Sequence, residues 1–243
     1  MAVFAIADLH LSTLASTNKS MEVFGRRWAG YITRLQENWR KVVSESDTVI
    51  IPGDISWAIS LEEATSDLKF LASLPGRKIL GKGNHDFWWT SMKKHGEFFE
   101  KNGITGIDFL YNNAHELDEF VAAGTRGWFF DEDMMVAQRG ADFDKIVARE
   151  AMRLEASLKE AKQLSEASGG KEIIAFLHFP PYRAGHAVEP FVDLLAEYNV
   201  SRVYYGHIHG AYSDPPFEEY LGIKFSLVSA DYLSFLPKII RKE

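Results

Sequence analysis

The chain has 243 residues, of which 46% are hydrophobic and 25% charged, and 27 basic against 34 acidic side chains give a formal charge of −7. This composition predicts one large globular domain, residues 1–243, and excludes a disordered chain. The negative charge disfavours long nucleic acid as a partner. The sequence contains no cysteine, which excludes a disulfide framework and thiolate metal sites and is typical of a reducing compartment.

No apolar run approaches the length of about 18 residues that a membrane helix needs. The apolar N-terminus is interrupted by Asp8 and His10, and no basic segment precedes it, so we interpret it as a buried strand and not as a secretory signal. We therefore expect a cytoplasmic protein with no membrane partner.

Strand and helix patterns alternate through the first hundred residues. Short apolar runs predict strands at residues 3–7, 48–51 and 78–80. Helical spacing within residues 21–43 places one set of side chains on a common face: Phe24, Trp28, Tyr31, Leu35, Trp39 and Val42. The sequence Ser60-Leu61-Glu62-Glu63 has the form of a capping box and predicts a helix that ends near Leu74, before Pro75-Gly76.

The second half keeps this alternation with longer insertions. Residues 109–111 and 119–123 are predicted as adjacent strands, and the later strands are predicted at residues 172–177, 202–205 and 223–228, the last of which closes the sheet. Helices are predicted at residues 143–164 and 188–198. Residues 128–141 fit no period and are predicted to form a long loop, of a length often found in functional lids.

Five polar blocks follow predicted strands. They are Asp8-Leu9-His10, Gly53-Asp54, Gly83-Asn84-His85-Asp86, His178 and Gly206-His207-Ile208-His209. In α/β sheets the ligand crevice lies at the carboxyl ends of the strands. The blocks are therefore expected to share one site.

The blocks differ in how specific they are when each is taken alone. An Asp-x-His sequence is common, a Gly-Asp pair at a strand end is mainly a turn signal, and a lone histidine such as His178 is more often a core residue than a ligand. The Gly-Asn-His-Asp sequence at residues 83–86 is expected by chance roughly once in a thousand chains of this size.

Together the blocks supply more donors than one metal ion needs. A structural zinc site is the competing interpretation, but it would close with four ligands and often include cysteine. Two cations about 3.5–4 Å apart, sharing a bridging carboxylate, are a common apparatus for displacement at phosphorus. Ligands of the Asp, Asn and His types suit Mn²⁺, Fe or Zn²⁺ equally.

In this order the blocks resemble the signature of the calcineurin-like metallophosphoesterase superfamily, from Asp8 to His209. The resemblance implies an α/β fold in which a two-sheet β-sandwich is flanked by helices. It implies a bridging role for Asp54. The implied ligands are Asp8, His10 and His209 for the first metal, and Asn84, His178 and His207 for the second. It further implies that His85 stabilises the transition state or protonates the leaving oxygen, and that Asp86 orients His85.

The expected activity is hydrolysis of a phosphoester, either a monoester or a diester, by attack of a hydroxide that bridges two divalent metals. A small-molecule or nucleotide phosphoester is the favoured substrate. Two alternatives stay open: a nuclease that acts on nucleic-acid ends, and a catalytically silent scaffold with the same fold. A scaffold would be expected to have lost ligands or the proton-donating histidine, and none is lost here.

Several side chains near the blocks are candidates for phosphate or substrate contacts. Lys82 stands where phosphoprotein phosphatases carry a phosphate-holding arginine, and a lysine would act there as a point charge without the bidentate fork. Arg126 and Arg183 are further candidates. Trp57 and Trp88 could stack on a substrate ring, although packing beneath the site is the favoured interpretation, because large aromatic side chains usually serve the core.

Overall fold

A computed structural model describes residues 1–13, 21–128 and 141–241, without the side chains of residues 141 and 142. The first of its two main sheets has the strand order β13-β1-β2-β3-β4. The strands of this sheet are β1 (Val3–Ala5), β2 (Thr48–Pro52), β3 (Arg77–Gly81), β4 (Ile107–Phe109) and β13 (Lys238–Ile240). Strands β1 to β4 are parallel, and β13 pairs antiparallel with β1.

The second sheet has the order β11-β12-β10-β7-β6-β5. Its strands are β5 (Asn113–Glu116), β6 (Phe120–Thr125), β7 (Glu172–Leu177), β10 (Arg202–Tyr205), β11 (Glu218–Tyr220) and β12 (Ile223–Leu227). Strands β6, β7, β10 and β12 are parallel, and the two outermost strands are antiparallel to their neighbours. A separate small hairpin joins β8 (Tyr182–Arg183) to β9 (His186–Ala187).

Helices cover the outer faces of both sheets. The helices are α1 (Tyr31–Val42), α2 (Thr65–Ala72), α3 (Met92–Asn102), α4 (Ala141–Ala167) and α5 (Glu189–Glu197), preceded by two 3₁₀ turns at Met21–Phe24 and Arg26–Trp28. The first sheet packs against α1 to α3, and the second against α4 and α5. A two-sheet sandwich flanked by helices, as predicted, is confirmed.

Alternation along each buried strand divides the core into layers. On β1, Val3 and Ala5 face the opposite sheet and Phe4 faces the helices; on β7, Phe176 faces the opposite sheet and Leu177 faces the helices. This period of two arises because successive side chains of a strand point to opposite faces. Strands buried on both faces therefore appear as continuous apolar runs in the sequence.

The two sheets meet where their central strands end. Ala7, just beyond β1, forms a parallel bridge with Ser229, just beyond β12, and its amide donates to Val228 O at 2.7 Å. The amide of Asp8 donates to Gly53 O at 3.0 Å, and that of Gly206 donates to His178 O at 3.1 Å. The polar blocks that follow β1, β2, β3, β7 and β10 are thus drawn to one edge of the sandwich.

The prediction of a continuous helical face over residues 21–43 is wrong. Two glycines with left-handed backbone, Gly25 (φ 109°) and Gly30 (φ 59°), interrupt the pattern: Gly25 separates the two 3₁₀ turns, and Gly30 separates the second turn from α1. Phe24 is consequently 68% exposed. Trp28, Tyr31, Leu35 and Trp39 are buried, as the pattern indicates.

Three further boundaries differ from the predictions. Residues 109–111 do not adjoin β6, because β4 pairs with β3 while β5, which the sequence did not reveal, pairs with β6. Residues 223–228 were predicted as the last strand, but another strand, β13, follows them and pairs with β1 of the first sheet. Half of the capping box forms, since Ser60 Oγ accepts from the Glu63 amide at 3.3 Å, but the Glu63 carboxylate accepts from the Ile59 amide, and the helix α2 begins later than predicted, at Thr65.

The predicted loop at residues 128–141 lies almost entirely outside the described residues, which resume at residue 141. Across the described ranges, none of the helices combines the length and apolar character needed to cross a membrane.

Candidate metal centre

The first group of converging side chains is formed by Asp8, His10 and His209, each of which places one ligand atom within 4.8 Å of the others. The Nε2 atoms of His10 and His209 lie 3.1 Å apart. Asp8 and His10 are almost fully buried. Side chains that are 199 positions apart in the sequence are thus brought into contact.

A second group contains Asp8, Asp54 and His178, again with ligand atoms within 4.8 Å of one another. Asp54 lies between the two groups. Its Oδ2 is 3.6 Å from His10 Nε2, and its Oδ1 is 3.6 Å from His178 Nε2. Each carboxylate oxygen therefore faces a different histidine, which is the geometry that a bridging carboxylate requires.

Asn84 completes this second group. Its Oδ1 lies 2.6 Å from His178 Nε2 and 3.1 Å from His207 Nδ1. His178 Nδ1 is 3.1 Å from the Pro52 carbonyl oxygen, which can only accept, so the ring proton is held on Nδ1 and Nε2 presents a lone pair. A lone pair of His178 then faces a lone pair of Asn84, and a bound divalent cation held by both residues would resolve this mismatch.

The backbone at these residues is strained. Asp8, His10, Asp54 and His207 have φ values of 57°, 44°, 53° and 71°, in the left-handed region that non-glycine residues seldom adopt. Such strain persists only where the surrounding contacts hold it, and it concentrates at functional sites. Here the holding bonds include the His207 amide, which donates to both carboxylate oxygens of Asp8 at 3.0 and 2.9 Å.

Two glycines of the motifs are required by close packing. A Cβ on Gly83 would overlap the Asp54 carboxylate, and one on Gly206 would lie 2.5 Å from Asp8 Oδ2. Any side chain at either position would push a carboxylate out of the site. The glycines of these blocks thus allow the backbone to approach the acidic residues.

The buried carboxylates carry a large electrostatic cost. Burial, with a smaller contribution from repulsion by Asp54, raises the pKa of Asp8 to about 8, and burial raises the pKa of Asp54 to about 6. Buried charges in proteins are paired or coordinate metals. A donor set of buried carboxylates, imidazoles and one amide fits divalent cations, which would offset this cost.

The pKa values of the candidate ligands His178 and His209 are shifted in opposite directions. Burial lowers the pKa of His178 to about 3, which keeps the ring neutral and able to ligate. Burial also lowers the pKa of His209, but its hydrogen bond to Asp231 and the charges of Asp8 and Asp231 outweigh that effect and raise the pKa to about 8.

Asp231 was not singled out from the sequence. Its Oδ1 lies 3.0 Å from His209 Nδ1, and its Oδ2 accepts from the Gly210 amide at 3.1 Å. This contact orients the ring and leaves Nε2 directed at His10, as in carboxylate–histidine–metal arrangements. Its only sequence signal is its place just after the strand β12.

His85 is anchored beside the candidate metal ligands by its backbone and its ring contacts. Its amide donates to Asp54 Oδ1 at 2.8 Å. Its ring lies 4.4 Å from the Trp57 ring, and the same Trp57 stacks on His10 at 4.8 Å with an interplanar angle of 22°. Trp57 therefore contacts both a candidate ligand histidine, His10, and His85.

Asp86 makes contacts that differ from the expected orientation of the His85 ring. Its two oxygens accept from the Trp88 indole at 2.9 Å and from several backbone amides, namely those of Asp54, Ile55, Ser56 and Gly83. Burial and the charge of Asp54 raise the pKa of Asp86 to about 7, against these donors, which lower it. Asp86 thus ties together the two loops that follow β2 and β3.

The candidate substrate contacts have different environments. Trp88 is 2% exposed and packs beneath the site, so its interpretation as a substrate contact is corrected, in line with the favoured packing interpretation. Arg183, which lies in the small hairpin, donates to Asp214 at 2.6 Å, so its guanidinium is paired with the loop that precedes β11. Arg126 bonds Glu150 at 3.1 Å, and Lys82 is half-buried.

The sequence model of the family described as calcineurin-like phosphoesterase matches residues 1–211. No curated protein matches the chain. Solved structures share its fold. Phosphopantetheinyl hydrolase (PptH) from Mycobacterium tuberculosis is 16% identical, with a TM-score of 0.58 and coverage of 100% of this chain and 96% of that one.

TT1561 of Thermus thermophilus is 10% identical, with a TM-score of 0.53 and coverage of 99% of this chain and 98% of that one. The protein of unknown function AQ665 from Aquifex aeolicus is 15% identical, with a TM-score of 0.50 and coverage of 98% and 95%. At these identities the similarity establishes the fold alone.

Proposed function

This chain belongs to the calcineurin-like phosphoesterase family, and we propose that it is a hydrolase of small-molecule or nucleotide phosphoesters that works with two divalent metal ions (Mn, Fe or Zn). The observation that carries the proposal is the convergence of lone pairs from Asp54, Asn84 and His178 at one partly buried point. The proposed ligands are Asp8, His10 and His209 for one ion, Asn84, His178 and His207 for the other, and Asp54 between them.

When bound, two such ions lower the pKa of a water molecule toward neutrality and offset charge on the phosphoryl oxygens. The protein's part is to fix the donors before substrate arrives. Asp8 is held by Ser229 Oγ at 2.7 Å and by the His207 amide, His178 by Pro52, and His209 by Asp231. Such preorganisation avoids a cost of rearrangement during the reaction.

We propose that His85 protonates the leaving oxygen. It lies beside the ligands, since its ring centroid is 5.6 Å from that of His10, but it belongs to neither converging group. The half-exposed side chain can therefore reach substrate while Trp57 limits its rotation. Proton donation of this kind contributes about 10²–10⁴-fold to rate.

The scaffold alternative is disfavoured by the same geometry. A silent relative has no reason to retain strained backbone at four positions and buried carboxylates with raised pKa values. A phosphoester substrate is also in keeping with the hydrolase named among the structural neighbours. A nuclease remains an outcome of the test.

The test is hydrolysis of p-nitrophenyl phosphate and bis-p-nitrophenyl phosphate by metal-stripped protein, with Mn²⁺, Zn²⁺, Fe²⁺ or Mg²⁺ restored singly. We expect turnover that returns only with metal, and the preferred ester identifies a phosphatase or a phosphodiesterase. Protein shown to hold two ions but inactive on both esters would contradict the proposal, and activity on short single-stranded DNA alone would identify a nuclease instead.

A further inference from the structure

A cluster of arginines surrounds one buried glutamate beside the metal centre. Glu150, on α4, is fully buried, and its Oε1 lies 2.7 Å from Arg153, 3.1 Å from Arg126 and 3.5 Å from Arg149. We call these four residues the arginine cluster. One carboxylate oxygen thus faces three guanidinium groups.

The arginine cluster has a positive excess. Arg126, Arg149 and Arg153 bring three positive charges against the single negative charge of Glu150. Within the described ranges, Arg126 Nε and Glu150 Oε2 are both buried without a hydrogen-bond partner. Among the residues that the structure describes, Glu150 is the carboxylate that these three arginines share, so two of the three guanidinium charges are not balanced there.

The cluster adjoins the proposed second metal site. The carbonyl of Arg126 accepts from the His178 amide at 3.2 Å and from the Phe179 amide at 3.0 Å. Lys82, which directly precedes Gly83 and Asn84, lies within electrostatic range of Arg126, Arg153 and Glu150. The cations therefore flank the side of the site that holds Asn84 and His178.

The arginines are fixed at their inner ends and accessible at their outer ends. Their side chains are 19%, 35% and 56% exposed for Arg126, Arg153 and Arg149, whereas Glu150 is 0% exposed. The Arg126 guanidinium also lies over the Trp128 ring at 5.1 Å. Guanidinium groups held in this way lose little freedom on binding an anion, and their planar forks match phosphate oxygens.

We propose that the arginine cluster is a binding subsite for a second phosphate group of the substrate. This inference rests on the proposed function and narrows it to phosphoesters or phosphoanhydrides with two phosphate groups, such as a nucleoside diphosphate or bisphosphate. The metal centre would hold the reacting phosphoryl group while Arg126, Arg149 and Arg153 hold the other. Arg149 and Arg153 are then specificity-determining residues that no sequence motif reveals.

The test compares two probes that cannot be hydrolysed, methylphosphonate with one phosphoryl group and methylenebisphosphonate with two. Their binding to Mn²⁺-loaded protein is measured by equilibrium dialysis at constant free Mn²⁺. We expect wild-type protein to bind the bisphosphonate at least about tenfold more tightly, because each charge-assisted hydrogen bond is worth about that factor. Equal affinities in wild-type protein would overturn the proposal without reference to any variant.

The double variant Arg149→Gln/Arg153→Gln is expected to reduce this preference to about twofold or less. Its matched control is Lys159→Gln/Lys162→Gln, which removes two positive charges from exposed positions on the same helix, and which should keep the wild-type preference. Circular dichroism and metal content show whether each variant folds. A folded double variant that keeps the full preference would make the cluster a structural ion network only.

Failure of the two proposals can be told apart. Tight bisphosphonate binding by protein that hydrolyses no phosphoester would preserve the subsite and reject the hydrolase. Metal-dependent hydrolysis of p-nitrophenyl phosphate without preference for the bisphosphonate would preserve the hydrolase and reject the subsite.

Discussion

At the scale of single residues, the candidate centre depends on side chains that hold the ligands as well as on the ligands themselves. Asp231 and Pro52 each engage the Nδ1 atom of a candidate ligand histidine and so leave its Nε2 directed at the site. Because such partners fix the tautomer and the ring orientation, their loss weakens metal binding without removing a ligand.

The first prediction concerns Asp231. Asp231→Asn is expected to lower metal affinity by about 10–100-fold. The neutral amide lacks the negative charge of Asp231, which raises the pKa of His209 and thus makes its ring a stronger electron-pair donor. Calorimetric titration of metal-stripped protein with Mn²⁺ or Zn²⁺ measures this loss. Asp214→Asn, which removes the partner of Arg183, is the control and should bind metal normally. Unchanged affinity in Asp231→Asn would show that the contact is dispensable.

The second prediction concerns His85. His85→Ala should retain both metals, because the ring belongs to neither converging group. Its turnover should fall by about 10²–10⁴-fold for esters with poor leaving groups, such as alkyl phosphates, and much less for p-nitrophenyl phosphate, whose leaving oxygen needs no proton. Equal losses for both classes of ester would remove His85 from the acid role.

At the scale of elements, the loops after β2 and β3 form one unit that is joined by Asp86. The helix α3 follows this unit and packs its buried His95 against β4. The His95 ring stacks on Phe109 at 4.6 Å, and its Nε2 accepts from the Thr90 amide at 3.1 Å. His95 must therefore be neutral in the folded protein.

The third prediction is a pH dependence that arises from His95. Burial lowers its pKa to about 4 in the folded protein, whereas the unfolded chain titrates near 6.5. Above about pH 6.5 His95 is neutral in both states and has no effect on stability. As the pH falls toward 4, the unfolded chain takes up a proton that the folded protein does not, and the free energy of unfolding falls by up to about 3 kcal/mol. The free energy of unfolding in urea should fall over this range in wild-type protein.

His95→Gln keeps an acceptor for the Thr90 amide but cannot titrate. It should be less stable than wild-type protein at pH 8, and the difference should shrink as the pH falls to 5. If the free energy of unfolding falls equally with pH in the two proteins, the acid sensitivity arises from other groups, among them the candidate metal ligands.

At the scale of the whole molecule, the candidate ligands come from both sheets. Asp8, His10, Asp54 and Asn84 follow strands of the first sheet, and His178, His207 and His209 follow strands of the second. Bound ions would therefore link the two halves of the sandwich. A cation that binds only the folded protein stabilises it by mass action.

The fourth prediction follows from this link. Mn²⁺ at about 100 times its dissociation constant should raise the melting temperature by roughly 5–10 °C over that of metal-stripped protein. Asp54→Asn should lose metal occupancy and activity together and show no such rise. Scanning calorimetry measures the melting temperatures of both proteins with and without metal. A metal-dependent rise of wild-type size in Asp54→Asn would show that binding of the two ions does not depend on this carboxylate.

The amino-acid sequence alone was sufficient to predict the layered α/β fold, most of the central strands and the blocks of candidate ligands. These features are local: apolar runs make buried strands, and polar residues at strand ends reach the crevice of a sheet. Residues 172–177 and 202–205 were predicted with the bounds that β7 and β10 have. The split of residues 21–43 was also a local signal, because two glycines mark it.

Contacts between side chains at long sequence separations became visible only in the folded chain. Asp231 contacts His209, Asp86 joins two loops in place of orienting His85, and Glu150 pairs with Arg126. Strand β13 likewise joins β1 from the far end of the chain. A single acid or arginine looks the same in sequence whether it faces solvent or a partner, because its role depends on burial and on neighbours that only the fold supplies.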